Sequence, residues 1–242
     1  MINILFPANG RSMFFKDYYF PKLVMEVKGE TVLEKVVKNY SSLKNKHFIF
    51  VLNKSDCSEF HLDKSAKLIT GEECCSVITL KNTTGGALCT SLLAIEKINN
   101  ESPLIISNCD QIIDAEICKV VEFFEKNNFD AGVITFPNIH PRWSYAKFDN
   151  NTVVEVAEKR PISQKAIAGF YYYKKGSDFV KAAMQAIFKE SSLNGIFYIS
   201  SSLNEMILMN KKIGAYEINK NQYHSFYSPE KIREYERSVE GC

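Results

Sequence analysis

Two charged side chains stand where phosphate chemistry could be done. Asp110 lies in Asn108-Cys109-Asp110-Gln111, directly after the apolar run Pro103-Leu104-Ile105-Ile106-Ser107. Lys22 follows Pro21, whose fixed φ stiffens the segment that presents the ammonium. A carboxylate just past the end of a buried strand can anchor Mg²⁺, which needs only one or two carboxylates when substrate phosphates complete its shell. The competing reading makes Asp110 a turn cap. At the N-terminus an apolar run, Ile2 to Phe6, opens into Pro7-Ala8-Asn9-Gly10-Arg11-Ser12. Small residues in such a loop let backbone N–H groups approach phosphate oxygens, and a nearby lysine adds a point charge.

Three further segments carry chemistry or shape. Thr83-Thr84-Gly85-Gly86 precedes a helical pattern, and its glycines suit close approach to a flat base or to a phosphate. Glu158-Lys159-Arg160 ends a predicted hairpin, where a lysine can meet a second phosphate, although such a run is commonly solvated surface. Ala168-Gly169-Phe170 lies in the strand after it. The chain has no Gly-x-Ser-x-Gly elbow, no His-x-x-x-His pair and no Walker A loop. A reaction run by phosphate clamps and Mg²⁺ needs no protein nucleophile.

These residues need a scaffold, and the hydrophobic periodicity supplies one. Strands are predicted at 2–6, 47–52, 66–70, 103–107 and 131–136. Thr31 and Glu34 form a capping box for a helix to about Tyr40. Helices are expected over 87–98 and from a cap at Asp114 to about Asn127. The second half reads as a hairpin over 145–157, strands at 167–173 and 213–218, and helices at 177–189, 201–210 and 229–239. Alternating strands and helices predict a Rossmann-like, three-layer α/β/α fold with a mostly parallel central sheet. One domain, 1–242, is expected, with a nucleotide-binding half (1–136) and an acceptor-binding half (137–242).

Composition narrows the partners. The 242 residues are 45% hydrophobic and 24% charged with a net charge of +2, and no basic tract marks nucleic acid or an anionic membrane as a partner. No apolar run nears the ~20 residues that span a bilayer. Seven cysteines, at 57, 74, 75, 89, 109, 118 and 242, form no Cys-x-x-Cys pair, which fits reduced thiols in a cytoplasm. Cys109, beside Asp110, reads as a packing residue.

The order of these segments resembles the nucleoside-triphosphate nucleotidyltransferases, which include sugar-1-phosphate uridylyl- and thymidylyltransferases and phosphocholine-type cytidylyltransferases. The likeness runs along nearly the whole chain. Pro7 to Phe15 stands at the family's Gly-rich loop, and Pro21-Lys22 matches its phosphate-contacting Pro-Lys pair. Gly85-Gly86-Ala87 falls at the base-reading loop, and Asn108-Cys109-Asp110 at the metal Asp. Glu158-Lys159 and Ala168-Gly169-Phe170-Tyr171 match the acceptor side, and His224 to Glu230 the closing turn.

The resemblance implies a GT-A-like fold and a reaction in which a small phosphorylated acceptor displaces pyrophosphate from a nucleoside triphosphate. It assigns catalysis to Lys22, Asp110 and Lys159. Nucleotide binding falls to Pro7, Ala8, Asn9, Gly10, Arg11, Gly85, Gly86 and Asn108, and acceptor binding to Glu158, Lys159 and Gly169. Mg²⁺ would sit on Asp110. The Asn-x-Asp-Gln pattern favours CTP and a non-sugar phosphate, and the product would feed a surface glycan or capsule. The sugar-1-phosphate members, a nucleotide-sugar glycosyltransferase and an inactive nucleotide-binding homologue are the alternatives, and a homo-oligomer is compatible with all of them. The chain departs from the family pattern in two places. Phe14 takes the register of the loop arginine, leaving Arg11 or Lys16 to supply its charge. The second metal carboxylate falls near Ser225, leaving His224 or Glu205 as substitutes.

Overall fold

Side chains alternating with period two bury the sheet on both faces. In the computed structural model, which describes residues 1–10 and 12–240, β1 (Ile2–Ala8) sends Ile4 and Phe6 into one hydrophobic layer and Leu5 into the other. After β1 come a short hairpin, β2 (Glu26–Val27) and β3 (Glu30–Thr31), and α1 (Val32–Lys38). There follow β4 (Lys46–Asn53), α2 (Lys54–Phe60), α3 (Leu62–Thr70), β5 (Cys75–Leu80), α4 (Ala87–Leu92), α5 (Ile95–Ile98), β6 (Leu104–Ser107), β7 (Gln111–Ile113) and α6 (Ile117–Lys126). The second half adds β8 (Ala131–Pro137), β9 (Ser144–Asp149), β10 (Thr152–Glu158), β11 (Lys165–Tyr173), α7 (Gly176–Phe188) and α8 (Ile199–Leu208). It closes with β12 (Ile213–Glu217), β13 (Tyr223–Ser225) and α9 (Pro229–Glu240).

A nine-stranded sheet joins the two halves. β1 pairs in parallel with β4 on one side and β6 on the other, and β5 continues the parallel set beyond β4. β11 enters antiparallel beside β6 and then pairs with β8 and β9. β12 lies parallel to β8, and β10 forms the far edge against β9. Only β10 and β11 therefore oppose the common strand direction, as the mostly parallel expectation requires.

On one face Phe6, Phe48 and Phe50 stack, with Phe6 and Phe50 centroids 5.1 Å apart, under Val36 and Phe124. On the other, Leu5, Ile49 and Val51 meet Leu88, Phe179 and Leu203. Each such side chain contributes roughly 1.5–3 kcal/mol on burial. No helix among the described residues is long and apolar enough to cross a membrane.

The structure corrects three local expectations. Residues 66–70 are the end of α3, and the strand comes later, as β5. Within that stretch Ala66 is fully buried while Leu68 is exposed, the one-sided burial of an amphipathic helix. The segment 87–98 forms two helices. Thr90 and Ser91 donate their hydroxyls to the carbonyls of Gly86 and Ala87, side-chain bonding that competes with a regular helix before the break at Leu93 and Ala94. Asp114 does not cap α6. Its carboxylate meets His224 at 2.8 Å, because β13 pairs with β7 just before it. The capping box of Thr31 and Glu34 is present as read.

At the edge of the sheet, Asn204 on α8 imitates a neighbouring strand. Its Oδ1 accepts from Val156 N at 2.9 Å, and its Nδ2 donates to Val156 O at 2.8 Å.

Candidate active site

β1 and β6 run in register, with Leu5 opposite Ile106, so their carboxyl ends open onto the same space. β1 has its parallel neighbours on opposite sides, and such a switch in strand order leaves a crevice for ligands. A cavity of about 510 Å³ lies there. Pro7, Ala8 and Gly10 line it from the loop after β1, Asn108 and Asp110 from the turn after β6, and Lys16 and Lys22 from the segment between. Arg11 lies outside the described residues.

Lys22 owes its position to local rules. Pro21 caps a single 3-10 turn, Lys22–Val24, at φ −63°. Leu23 anchors that turn in the core. The ammonium therefore reaches Asp110, with Nζ 2.5 Å from Oδ2. Burial alone would depress the Lys22 pKa, but the Asp110 carboxylate outweighs it and raises the value above that of an ordinary lysine. Asp110 is braced through its backbone, whose carbonyl accepts from Phe226 N at 2.7 Å. Cys109 is half-buried beside the pair, and its thiol is pushed up to about 12 by desolvation and then by Asp110. It is a proton-holding packing group.

Of the residues expected to bind the acceptor, Glu158 and Lys159 line a second cavity of about 670 Å³, between the end of β10 and the start of α8, and Gly169 does not. Glu158 accepts hydroxyl hydrogens from Ser144 at 2.5 Å and Ser200 at 2.7 Å. Burial raises its pKa, partly offset by those hydroxyls and by Lys159. Lys159 is exposed, and its Nζ donates to Tyr198 Oη at 2.7 Å.

Four expected site residues have side chains, or space for one, committed elsewhere. Asn9 turns away from the cavity, and its Nδ2 donates to Asn82 O at 2.9 Å, tying the loop after β1 to the loop before α4. Gly85 and Gly86 line neither cavity. A Cβ on Gly86 would sit 2.4 Å from Phe197 O, so this glycine lets the loop before α4 lie against the segment leading to α8. Gly169, at φ +59°, interrupts the pairing of β11 with β8. Its carbonyl accepts from Asn108 N and Gln111 Nε2, both at 3.0 Å, which fixes the turn that carries Asp110.

The sequence reading missed the supports of that turn. Gln111 is buried, and its Oε1 accepts from Tyr223 Oη at 3.1 Å. Tyr223 comes from a three-residue strand, too short to show a period.

The sequence matches the nucleotidyl transferase family over residues 18–213. The chain belongs to that family. No curated protein matches it by sequence. Among solved structures, this nucleotidyl transferase is similar to a nucleoside-diphosphate-sugar pyrophosphorylase from Vibrio cholerae RC9, with 21% identity and a TM-score of 0.83 over 97% of this chain and 99% of that one. A putative glucose-1-phosphate thymidylyltransferase from Bacillus anthracis, in complex with a sucrose, aligns at 17% identity and a TM-score of 0.79, over 100% and 96% of the two chains. A UDP-glucose pyrophosphorylase complexed with UDP-glucose aligns at 16% and 0.79, over 100% and 99%. At these identities the likeness is one of fold.

The proposed substitutes for a second metal carboxylate are engaged elsewhere in this nucleotidyl transferase. Glu205, on α8, is buried and pairs at 2.7 Å with Lys189, the exposed residue just past the end of α7. His224 pairs with Asp114. Ser225 stands opposite Gln111 in the β13–β7 register, one residue from Asp110, and brings a hydroxyl where a carboxylate was sought. Among the described residues no three His, Cys, Asp or Glu side chains cluster to hold a metal. The donors therefore fit Mg²⁺ in one mode, with Asp110 as its anchor and substrate phosphates completing the shell.

Proposed function

We propose that this nucleotidyl transferase joins the nucleotidyl group of a nucleoside triphosphate to a sugar 1-phosphate and releases pyrophosphate. The observation that carries the proposal is the Lys22–Asp110 pair, 2.5 Å apart in the cavity at the carboxyl ends of β1 and β6. The triphosphate enters that cavity, with backbone N–H groups of the loop after β1 directed to its oxygens. An acceptor phosphate oxygen attacks the α-phosphorus. The bond to the bridging oxygen breaks on the opposite side, and pyrophosphate leaves with the electron pair. Lys22 stabilises charge on the departing phosphates, where donors act most strongly on the transition state. Asp110 would hold Mg²⁺, which supplies charge neutralisation across the phosphates. Lys159 orients the acceptor phosphate, and Glu158 accepts hydrogen bonds from acceptor hydroxyls.

The sugar class is supported by the structural neighbours, which are pyrophosphorylases of nucleoside-diphosphate sugars and UDP-glucose and a putative glucose-1-phosphate thymidylyltransferase. The expectation of CTP and a non-sugar acceptor rested on the Asn108-Cys109-Asp110-Gln111 pattern. The bonds of Gln111 to Gly169 and Tyr223 give that residue a supporting role that favours no base.

A pyrophosphate-release screen tests the proposal, pairing UTP, dTTP, CTP, ATP and GTP with sugar 1-phosphates and amino-alcohol phosphates in Mg²⁺. Release with UTP or dTTP and a sugar 1-phosphate is expected. Release confined to CTP and a non-sugar phosphate would replace the acceptor class. Nucleotide binding without release from any pair would make the chain an inactive homologue.

A further inference from the structure

Among the described residues, Arg142 is a cation without an acceptor. It stands between β8 and β9, its guanidinium carbon 3.3 Å from the centroid of the Tyr227 ring and 4.8 Å from that of Trp143. Among the described residues it forms no ion pair, and its side chain donates no hydrogen bond. Aromatic faces hold a guanidinium by its plane and leave its edge, with five N–H donors in a fork, free for an oxyanion.

The aromatic sandwich is itself braced. Trp143 packs edge-to-face on Phe136 and Tyr223, at 5.5 and 5.3 Å, and Tyr227 on Phe14 at 5.6 Å. A side chain this constrained, with its donors unused, is preorganised for a ligand.

Arg142 lines neither cavity, but the residues that hold it are hydrogen-bonded to segments that line both. The carbonyl of Trp143 accepts from Lys159 N at 3.0 Å, so the residue after Arg142 is joined to the acceptor-side lysine. The carbonyl of Tyr227 accepts from Ser12 Oγ at 3.4 Å, which joins the other wall to the loop after β1. Phe226, beside Tyr227, bonds the backbone of Asp110. Arg142 also acts electrostatically on the Tyr223 hydroxyl that supports Gln111.

We propose that Arg142 is a phosphate-binding residue at the seam between the two halves, its guanidinium taking two oxygens of one substrate phosphate in its plane. Trp143 and Tyr227 are its positioning residues. The inference rests on the proposed reading, in which two phosphorylated substrates react with one another. The phosphate comes either from the nucleotide or from the acceptor, and the two sources separate experimentally.

Trp143 is the sole tryptophan of the chain, so its emission reports on the stacked guanidinium directly. The full chain is titrated with inorganic pyrophosphate, UTP and glucose 1-phosphate, each alone, and the titrations are repeated on Arg142→Gln and Arg142→Lys. The wild type is expected to give a saturable change in emission. Arg142→Gln should weaken at least one probe by about tenfold or more, as loss of a bidentate charged contact does, and Arg142→Lys should recover little because it lacks the fork. Loss confined to pyrophosphate and UTP assigns Arg142 to the nucleotide phosphates, and loss confined to glucose 1-phosphate assigns it to the acceptor.

Thermal melting identifies the folded variants, and either variant suffices for the test. Unchanged dissociation constants for all three probes in a folded variant would overturn the proposal, as would a wild type that responds to none. Binding is measured here without turnover. A wild type that holds pyrophosphate through Arg142 yet releases none from a nucleoside triphosphate with any sugar 1-phosphate would sink the acceptor reading and leave this inference standing.

Discussion

The two cavities hold their lysines in opposite states. Lys22 is already neutralised, its ammonium against Asp110 on a turn fixed by Pro21 and Leu23. Lys159 stands exposed, its ammonium donating among the described residues to a phenolic oxygen alone, and its neighbour Glu158 bonds to serine hydroxyls instead. A neutral pair favours a ligand that arrives with its own cation, because a metal on the carboxylate frees the ammonium for phosphate. An uncompensated lysine takes an anion directly. On the proposed reading, the first cavity would receive a metal-bearing polyphosphate and the second a single phosphate.

The largest effect is expected at the carboxylate. Asp110→Asn should lower kcat by about 10³-fold, the scale of removing a preorganised electrostatic group, while the fold survives. A kcat within a few-fold of wild type, measured by pyrophosphate release, would break the assignment of the metal to this side. Next comes Lys22→Ala, with an expected loss of about 10²-fold in kcat/KM for the nucleotide. If extra Mg²⁺ restored that loss, the lysine and the metal would be redundant, and the neutral pair would lose its meaning.

Lys159→Ala should act on the other side only. KM for the acceptor is expected to rise about tenfold, with nucleotide affinity measured in its absence unchanged. Equal losses in nucleotide binding from the Lys22 and Lys159 variants would erase the distinction between the cavities.

The smallest effect concerns protons. Burial raises the Glu158 pKa above that of an ordinary carboxylate. The folded chain thus holds that proton more tightly than the unfolded one, so the stability it contributes is full below the unfolded value and declines as pH rises through the raised folded value. Thermal melts across that window should show a decline in wild type and a flatter profile in Glu158→Gln. Identical profiles would mean that the serine hydroxyls cancel the burial.

Much of the scaffold was legible because it obeys short-range rules. Buried runs such as 47–52 and 131–136 became strands, and Thr31 with Glu34 capped a helix, since both signals act within a few residues. The Lys22–Asp110 meeting was readable as two separate loops, since parallel strands deliver their carboxyl ends together. What stayed hidden depends on distant partners. The glycine at 86 is required by the backbone of Phe197, and the one at 169 by Asn108 and Gln111. The fate of Asp114 was set by His224 across a three-residue strand pair. Arg142 carried no motif at all, and only folding brought Tyr227 onto its guanidinium.

Asn204 bears on how this chain behaves in a crowd. An outermost strand offers unpaired amides and carbonyls to any passing polypeptide, which is how folded domains are drawn into intermolecular sheets. By occupying both backbone groups of Val156, Asn204 blunts β10 in its middle, so another chain cannot dock there without first evicting a side chain already bonded twice. The same amide thus guards the protein against aggregation while its helix walls the cavity of Glu158 and Lys159.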